Sequence, residues 1–184
     1  MLFSHPADFT PVCSTEFMAF ARHAREFERR NVQLIGLSID GVNSHIAWVR
    51  DMEQRSGVEI NFPVIADLDQ HVARLYGMVH EAVSDTATVR AVFAIDPKRK
   101  IRAILYYPMQ LGRSVDELLR IFDGLQMADA HGVSTPCDWV PGQPVIVPAP
   151  ATVEAARKRG KGEEKDLKVE AWYLTTKEAP PAAK

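Results

Sequence analysis

The chain is poor in several things, and each scarcity narrows what it can do. It holds two cysteines in 184 residues, too few for a disulfide framework. Its six histidines are scattered, and with the cysteines they show no zinc spacing, so no metal or other cofactor is expected. No apolar run approaches the roughly 18 residues of a membrane span, and no signal peptide is visible. A surplus of one charge is lacking too: 22 Lys and Arg against 24 Asp and Glu leave a net charge of −2. That excludes a nucleic-acid binder working through bulk positive charge. There are no internal repeats. The expectation is a cytoplasmic protein with reduced thiols.

What is present is an ordinary globular balance, 46% hydrophobic and 25% charged, long enough for one domain with an extension. Met1 to Ser4 reads as the end of a buried strand. Phe17, Phe20, Ala21, Ala24 and Phe27 recur at spacings of three and four, which predicts a helix over 14–30. A strand over 32–38, a helix over about 44–56, a strand over 62–66 and a helix over 71–76 ended by Gly77 follow. Residues 90–96 and 101–107 read as a hairpin turned at Pro97 and Lys98. Ser114 caps a last clear helix with the stripe Val115, Leu118, Leu119, Phe122, Leu125. This alternation predicts an α/β fold, a mixed sheet flanked by helices. Six of the twelve prolines then fall between Pro141 and Pro181, the mark of an extended C-terminal arm. The charge run over 157–168 reads as solvated surface, and 169–174 as one more strand.

The chemistry concentrates in His5-Pro6-Ala7-Asp8-Phe9-Thr10-Pro11-Val12-Cys13-Ser14-Thr15-Glu16. Cys13 lies where a loop gives way to a helix. Backbone N–H groups there lack intrahelical partners and the helix dipole is positive, so both favour a thiolate over a thiol. Thr10 brings a hydroxyl to the same place, as a helix cap, a donor to substrate, or both. Pro6 and Pro11 stiffen the loop and offer apolar cover. Glu16, one turn into the helix, needs a cationic partner. The alternative for Cys13 is a buried inert thiol, and it is the combination of proline, threonine, cysteine and glutamate that argues against it.

Pro6-x-x-x-Thr10-x-x-Cys13 resembles the active-site signature of the peroxiredoxins. The His5–Pro6 pair is similar to the 1-Cys, peroxiredoxin-6-like type, and the resemblance runs through 32–40, 45–48, 62–67, 90–93, Gly112–Arg113, 135–142 and 145–150. It implies a thioredoxin-like fold, with residues 1–130 as the peroxidase domain, expected to lack the family's N-terminal strands, and residues 131–184 as the arm. It implies a thiol-dependent peroxidase for hydrogen peroxide and alkyl hydroperoxides, acting through a cysteine sulfenic acid without a cofactor. Cys13 would be the attacking sulfur, Thr10 and Arg90 donors, and Pro6 its shield. Glu16 would orient Arg90, Arg113 would be a second arginine near the site, and His5 would tune the sulfur. Bland readings stand beside these: Arg90 as surface charge, Glu16 as complement to the helix dipole, His5 as a satisfied loop histidine, Arg113 as a salt-bridge residue. Cys137 is either incidental or a resolving cysteine; if incidental, an external thiol such as glutathione or a thioredoxin-like protein reduces the enzyme. A homodimer or higher homo-oligomer is expected from the apolar arm. A peroxide sensor or holdase-like assembly with little turnover, and an inactive fragment, are the competing readings.

Overall fold

The first three strands of the main sheet are short, and a side chain extends the work of their backbone. In this computed structural model, residues 1–162 and 166–181 are described. β1 (Leu2–Ser4) is followed by α1 (Pro11–Arg22), α2 (Ala24–Arg29), β2 (Ile35–Ser38), α3 (Val42–Ser56), β3 (Val64–Ala66) and α4 (His71–Leu75). The hairpin β4 (Arg90–Ile95) and β5 (Ile101–Tyr107) comes next. The five strands form one sheet in the order β3-β2-β1-β4-β5. β1 runs parallel to β2 and antiparallel to β4, so the sheet is mixed as the sequence predicts. The short opening strand is therefore its centre.

Alternation along β1 sends Phe3 and Leu2 to opposite faces. Phe3 packs edge-on against Phe17 and Phe20 of α1 at 5.5 and 4.9 Å. Leu2 joins Leu37, Ala73, Met78, Val89, Ala91 and Phe93. Both faces are thus buried, which matches the apolar character of the parallel strands. Gly36 is what lets the rings close over β2, since a Cβ there would lie 3.3 Å from both Phe3 and Phe17. Ser4 takes over where the β1–β4 ladder stops: its hydroxyl donates to the Val89 carbonyl at 2.6 Å and accepts from the Ala91 N–H at 3.1 Å.

The predicted helix over 14–30 is two helices. Thr10 is extended (φ −104°, ψ 146°) and Pro11 occupies the first helical position, so α1 starts earlier than its apolar stripe does. It ends at His23, whose Nδ1–H donates to the Ala19 carbonyl at 2.8 Å, and α2 restarts at Ala24. The remaining predicted elements of this part lie within a few residues of those observed.

Residues Met1–Val115 form one compact unit and Asp116–Lys184 a second. The second contains nearly all of α5 (Val115–His131), then β6 (Val145–Ile146), α6 (Val153–Gly160), β7 (Lys168–Ala171) and β8 (Leu174–Lys177). The last three strands form a sheet in the order β6-β8-β7. Trp139, Met127, Val133 and Val145 make its small core, and the Trp139 indole donates to the Gln143 carbonyl at 3.0 Å. The single strand predicted over 169–174 is thus a hairpin. The charge run opens as helix α6, which has no buried residue, and its residues 163–165 lie outside the described set. No helix among the described residues is long and apolar enough to cross a membrane.

Candidate active site

Cys13 is the third residue of α1, and its side chain is completely buried. The position follows from the sequence. Pro6 and Pro11 bracket a loop that Thr10 closes: its hydroxyl donates to the Ala7 carbonyl at 2.8 Å and makes no side-chain cap. The first-turn N–H groups of α1 are therefore not capped by Thr10, and their partial positive charge acts at the end of the helix that holds the sulfur. Ser14, the next residue, donates to the Thr10 carbonyl at 2.8 Å and accepts from the Trp48 indole at 3.1 Å, which ties the first turn to α3.

Arg90, the first residue of β4, reaches the sulfur. Its Nη1 donates to Cys13 Sγ at 3.2 Å and to Glu16 Oε2 at 2.9 Å. Its Nε and Nη2 both donate to the Met109 carbonyl, at 2.9 and 2.7 Å. With 3% of its surface exposed, it is no surface charge. Glu16, equally buried, is shared between two guanidiniums. Its Oε1 accepts from the backbone N–H and Nε of Arg113 at 2.8 and 2.9 Å. Its Oε2 accepts from Arg113 Nη2 at 2.6 Å as well as from Arg90. Arg113 is a salt-bridge residue, and also more: its Nη1 donates to the Ser4 and Ala91 carbonyls, and its guanidinium lies 5.2 Å from the Phe3 ring centre. Four side chains from α1, β4 and the loop after β5 thus make one buried ionic cluster around the sulfur.

The other predicted residues fall in different places. Pro6 is buried in the loop. His5 is buried, and its Nε2 bonds to Asp8 at 2.9 Å. Cys137 is an exposed free thiol in the second unit. A surface cleft of about 800 Å³ beside Phe27, Leu34 and Pro63, and one of about 290 Å³ beside Val42, His45 and Ile60, are not lined by Cys13, Thr10 or Arg90.

Sequence reasoning missed Asp8 and His45. Asp8 accepts from His5 and, through Oδ2, from His45 Nδ1 at 2.8 Å. The scattered histidines are therefore partly gathered in space. The ligand-type atoms of His5, Asp8 and His45 lie within 4.8 Å of one another, but they are engaged with each other in hydrogen bonds. Burial raises the Asp8 carboxyl, yet the hydrogen bonds from His45 and His5 outweigh it and hold the group well below the usual carboxylate range. The visible signal was Asp8 three residues after His5 inside the motif; for His45 it was only a place in the resembling segment 45–48, with nothing pointing to Asp8 short of the fold.

Residues 1–104 match the model of the AhpC/TSA family, and residues 124–162 match the C-terminal domain of 1-Cys peroxiredoxin. A peroxiredoxin of Aquifex aeolicus is 51% identical over 96% of this chain and 83% of its own. The crystal structure of peroxiredoxin 6 of Arenicola marina superposes with a TM-score of 0.85 at 35% identity, covering 98% of this chain and 86% of that one. A yeast mitochondrial 1-Cys peroxiredoxin, whose thiol is resolved through glutathione and thioredoxin systems, gives 0.83 at 43% identity, over 96% and 84%. The five-stranded mixed sheet is accordingly thioredoxin-like, and the chain belongs to the AhpC/TSA family of peroxiredoxins, thiol-dependent peroxidases, with a C-terminal domain of the 1-Cys type.

Proposed function

We propose that Cys13 is the peroxidatic sulfur and that Arg90, Glu16 and Arg113 are its charged frame. The thiolate attacks one oxygen of ROOH. An S–O bond forms, the O–O bond breaks, and the electron pair leaves on RO⁻, which takes a proton and departs as ROH, or as water from hydrogen peroxide. Cys13 is left as a sulfenic acid. The observation that carries this reading is the 3.2 Å hydrogen bond from Arg90 Nη1 to Sγ, with Glu16 holding the same nitrogen from behind. Two guanidiniums face one carboxylate; the anionic sulfur supplies the fourth charge and brings the count to zero, as a buried cluster requires. Charge developing on the leaving oxygen arises beside that guanidinium, where a preorganised donor accelerates the step. Thr10 contributes its oxygen and the loop geometry; to donate to substrate, its hydroxyl leaves the Ala7 carbonyl. Pro6 screens the sulfur from water.

Reduction by an external thiol, of the glutathione or thioredoxin class, fits a C-terminal domain of the 1-Cys type, and the yeast relative works in this way. A homodimer or higher oligomer fits the edge strand β5, on which Ile101, Ile104 and Tyr106 are each about half exposed. We place the peroxidase domain at 1–130 and the arm at 131–184, and the chain in a reducing, cytoplasmic compartment.

Stopped-flow oxidation followed by coupled peroxide consumption tests the reading. The native chain turns over with added thiol, Cys13→Ser is inert, and Cys137→Ser retains single-turnover oxidation. A Cys13–Cys137 disulfide found by mass spectrometry would replace the external-thiol step. Oxidation of one equivalent without turnover would make the chain a sensor.

A further inference from the structure

Beside the ionic cluster lies a second buried polar group, and its hydrogen bonds assign its protons. Asp8 Oδ1 meets His5 Nε2 at 2.9 Å, and Asp8 Oδ2 meets His45 Nδ1 at 2.8 Å. His45 Nε2 meets the Ile65 carbonyl at 3.2 Å. A carboxylate and a carbonyl only accept. Both nitrogens of His45 therefore carry hydrogen, and the ring is an imidazolium. His5 carries hydrogen on Nε2. Its Nδ1 is buried and has no hydrogen-bond partner, in a side chain with no exposed surface. A second proton there would be a charged, unpaired N–H, so His5 is neutral with a bare lone pair at Nδ1.

The surroundings agree. Burial lowers the proton affinity of His45, but the Asp8 hydrogen bond and charge, the Ile65 carbonyl and the charge of Asp40 outweigh it and raise it above the ordinary imidazole. Burial dominates at His5 and lowers it, against the pull of Asp8 and with the opposing charges of His45 and Arg113. Ser44, beside His45 on α3, also favours the charged form of Asp8, and Arg50 lines the cleft that His45 borders. Asp40 accepts from the Asp8 N–H at 3.0 Å and from the Ser38 hydroxyl at 2.6 Å, which anchors the same loop a second time.

The His5 ring stacks on Trp48 at 5.1 Å and stands edge-on to Phe17 at 4.8 Å. Trp48 holds Ser14, and Phe17 lies one turn beyond Cys13 on α1. The orientation of His5 is thus coupled to both sides of the first turn that carries the sulfur.

We propose that Asp8 and His45 are positioning residues of the peroxidase site: the Asp8 carboxylate, clamped by a doubly protonated His45, locks His5 in its Nε2–H tautomer and so sets the geometry around Cys13. The inference rests on the peroxidase reading, but its decisive readout needs no turnover.

Long-range proton–nitrogen spectra of the full native chain, with rings assigned through His45→Gln and His5→Asn, report the protons directly. At about pH 6.5, the expected pattern is a doubly protonated His45 and an Nε2–H His5. Asp8→Asn keeps an oxygen for His45 but offers an amide N–H to His5 Nε2, so His5 is expected to switch to the Nδ1–H form, as when an asparagine replaces a histidine-orienting aspartate. Cys13 oxidation is expected to slow tenfold or more with a cooperative melt retained, and Asp8→Glu to recover part of the rate. A singly protonated His45 in the native spectrum overturns the proposal even if no variant folds. So does an Asp8→Asn protein that oxidises within twofold of the native rate. Failure of the peroxidase reading shows instead as turnover that survives Cys13→Ser.

Discussion

Glu16 has two oxygens and serves three partners: two guanidiniums and the backbone N–H of Arg113. Removing its charge leaves Arg90 and Arg113 facing each other inside the protein. Glu16→Gln is therefore expected to cost about 3–5 kcal/mol, read as a lower urea midpoint with an unchanged slope. Arg90→Lys keeps the charge but loses the planar fork that meets Sγ, Glu16 and the Met109 carbonyl together. Peroxide oxidation of Cys13 should slow about 10²–10³-fold in stopped-flow measurements; an unchanged second-order rate would remove Arg90 from the mechanism. At this scale the sequence was most legible where chemistry is local. The Thr10–Cys13–Glu16 spacing places three groups on one helical start. Arg90 and Arg113 came from family resemblance, since residues 77 and 97 positions away from their partners leave no local trace. His45 lay inside a segment that resembles the family, but its role left no local trace, because its partner is a loop residue brought close by the parallel β1–β2 pair.

Helices carry the next lesson. Periodicity located the stripe of α1 but not its start, because Thr10 and Pro11 act through backbone conformation rather than hydrophobicity. The break at His23 was invisible for the opposite reason: Ala24 and Phe27 continue the apolar spacing across it. The hairpin and α3 were readable because turn residues bound them. α3 ends on Gly57 in the left-handed region (φ 66°), with its N–H donating to the Glu53 carbonyl at 2.8 Å. A Cβ there would meet nothing within 4 Å, so substitution costs only backbone conformation. Gly57→Ala should destabilise by about 1 kcal/mol, measurable as a small fall in melting temperature with peroxidase rate unchanged. In the second unit, β6 and α6 escaped prediction. A two-residue strand has no period, and a helix with no buried face has no stripe.

Taken whole, the molecule answers pH through two histidines of opposite sign and through the Met1 amine, which burial lowers from 8.0 to about 6, so that its contribution is lost as pH falls from 8 through 6. His45 binds its proton more tightly when folded, so its contribution is full below the usual imidazole value of 6.5 and is lost as pH rises through its higher folded value. His5 is lowered, so the unfolded chain takes up that proton first, and stability declines as pH falls from 6.5 toward the folded value. Asp8 adds a further loss only in acid, below the usual carboxylate value of 3.8, as pH falls through its depressed folded value. Thermal melts across pH should therefore peak near neutrality. His45→Gln should flatten the alkaline limb and also make the acid limb shallower, because the His45 charge helps lower His5 and its hydrogen bond helps hold Asp8 down; a variant whose alkaline limb matches the native one would contradict the sign derived for His45. The overall architecture was foreseeable because alternating strand and helix periods admit few sheets, whereas the gathering of His5, Asp8 and His45 depends on which strands become neighbours.

Met109 receives Arg90 on its main-chain oxygen, which accepts from two guanidinium nitrogens. Such a contact is blind to side-chain identity. So far as this contact goes, the residue at 109 can vary while the loop's path is held, and a scan by point replacement would miss the contact. Shortening the loop by one residue would carry that oxygen away and unseat the guanidinium, so this position is better probed by indels than by substitutions.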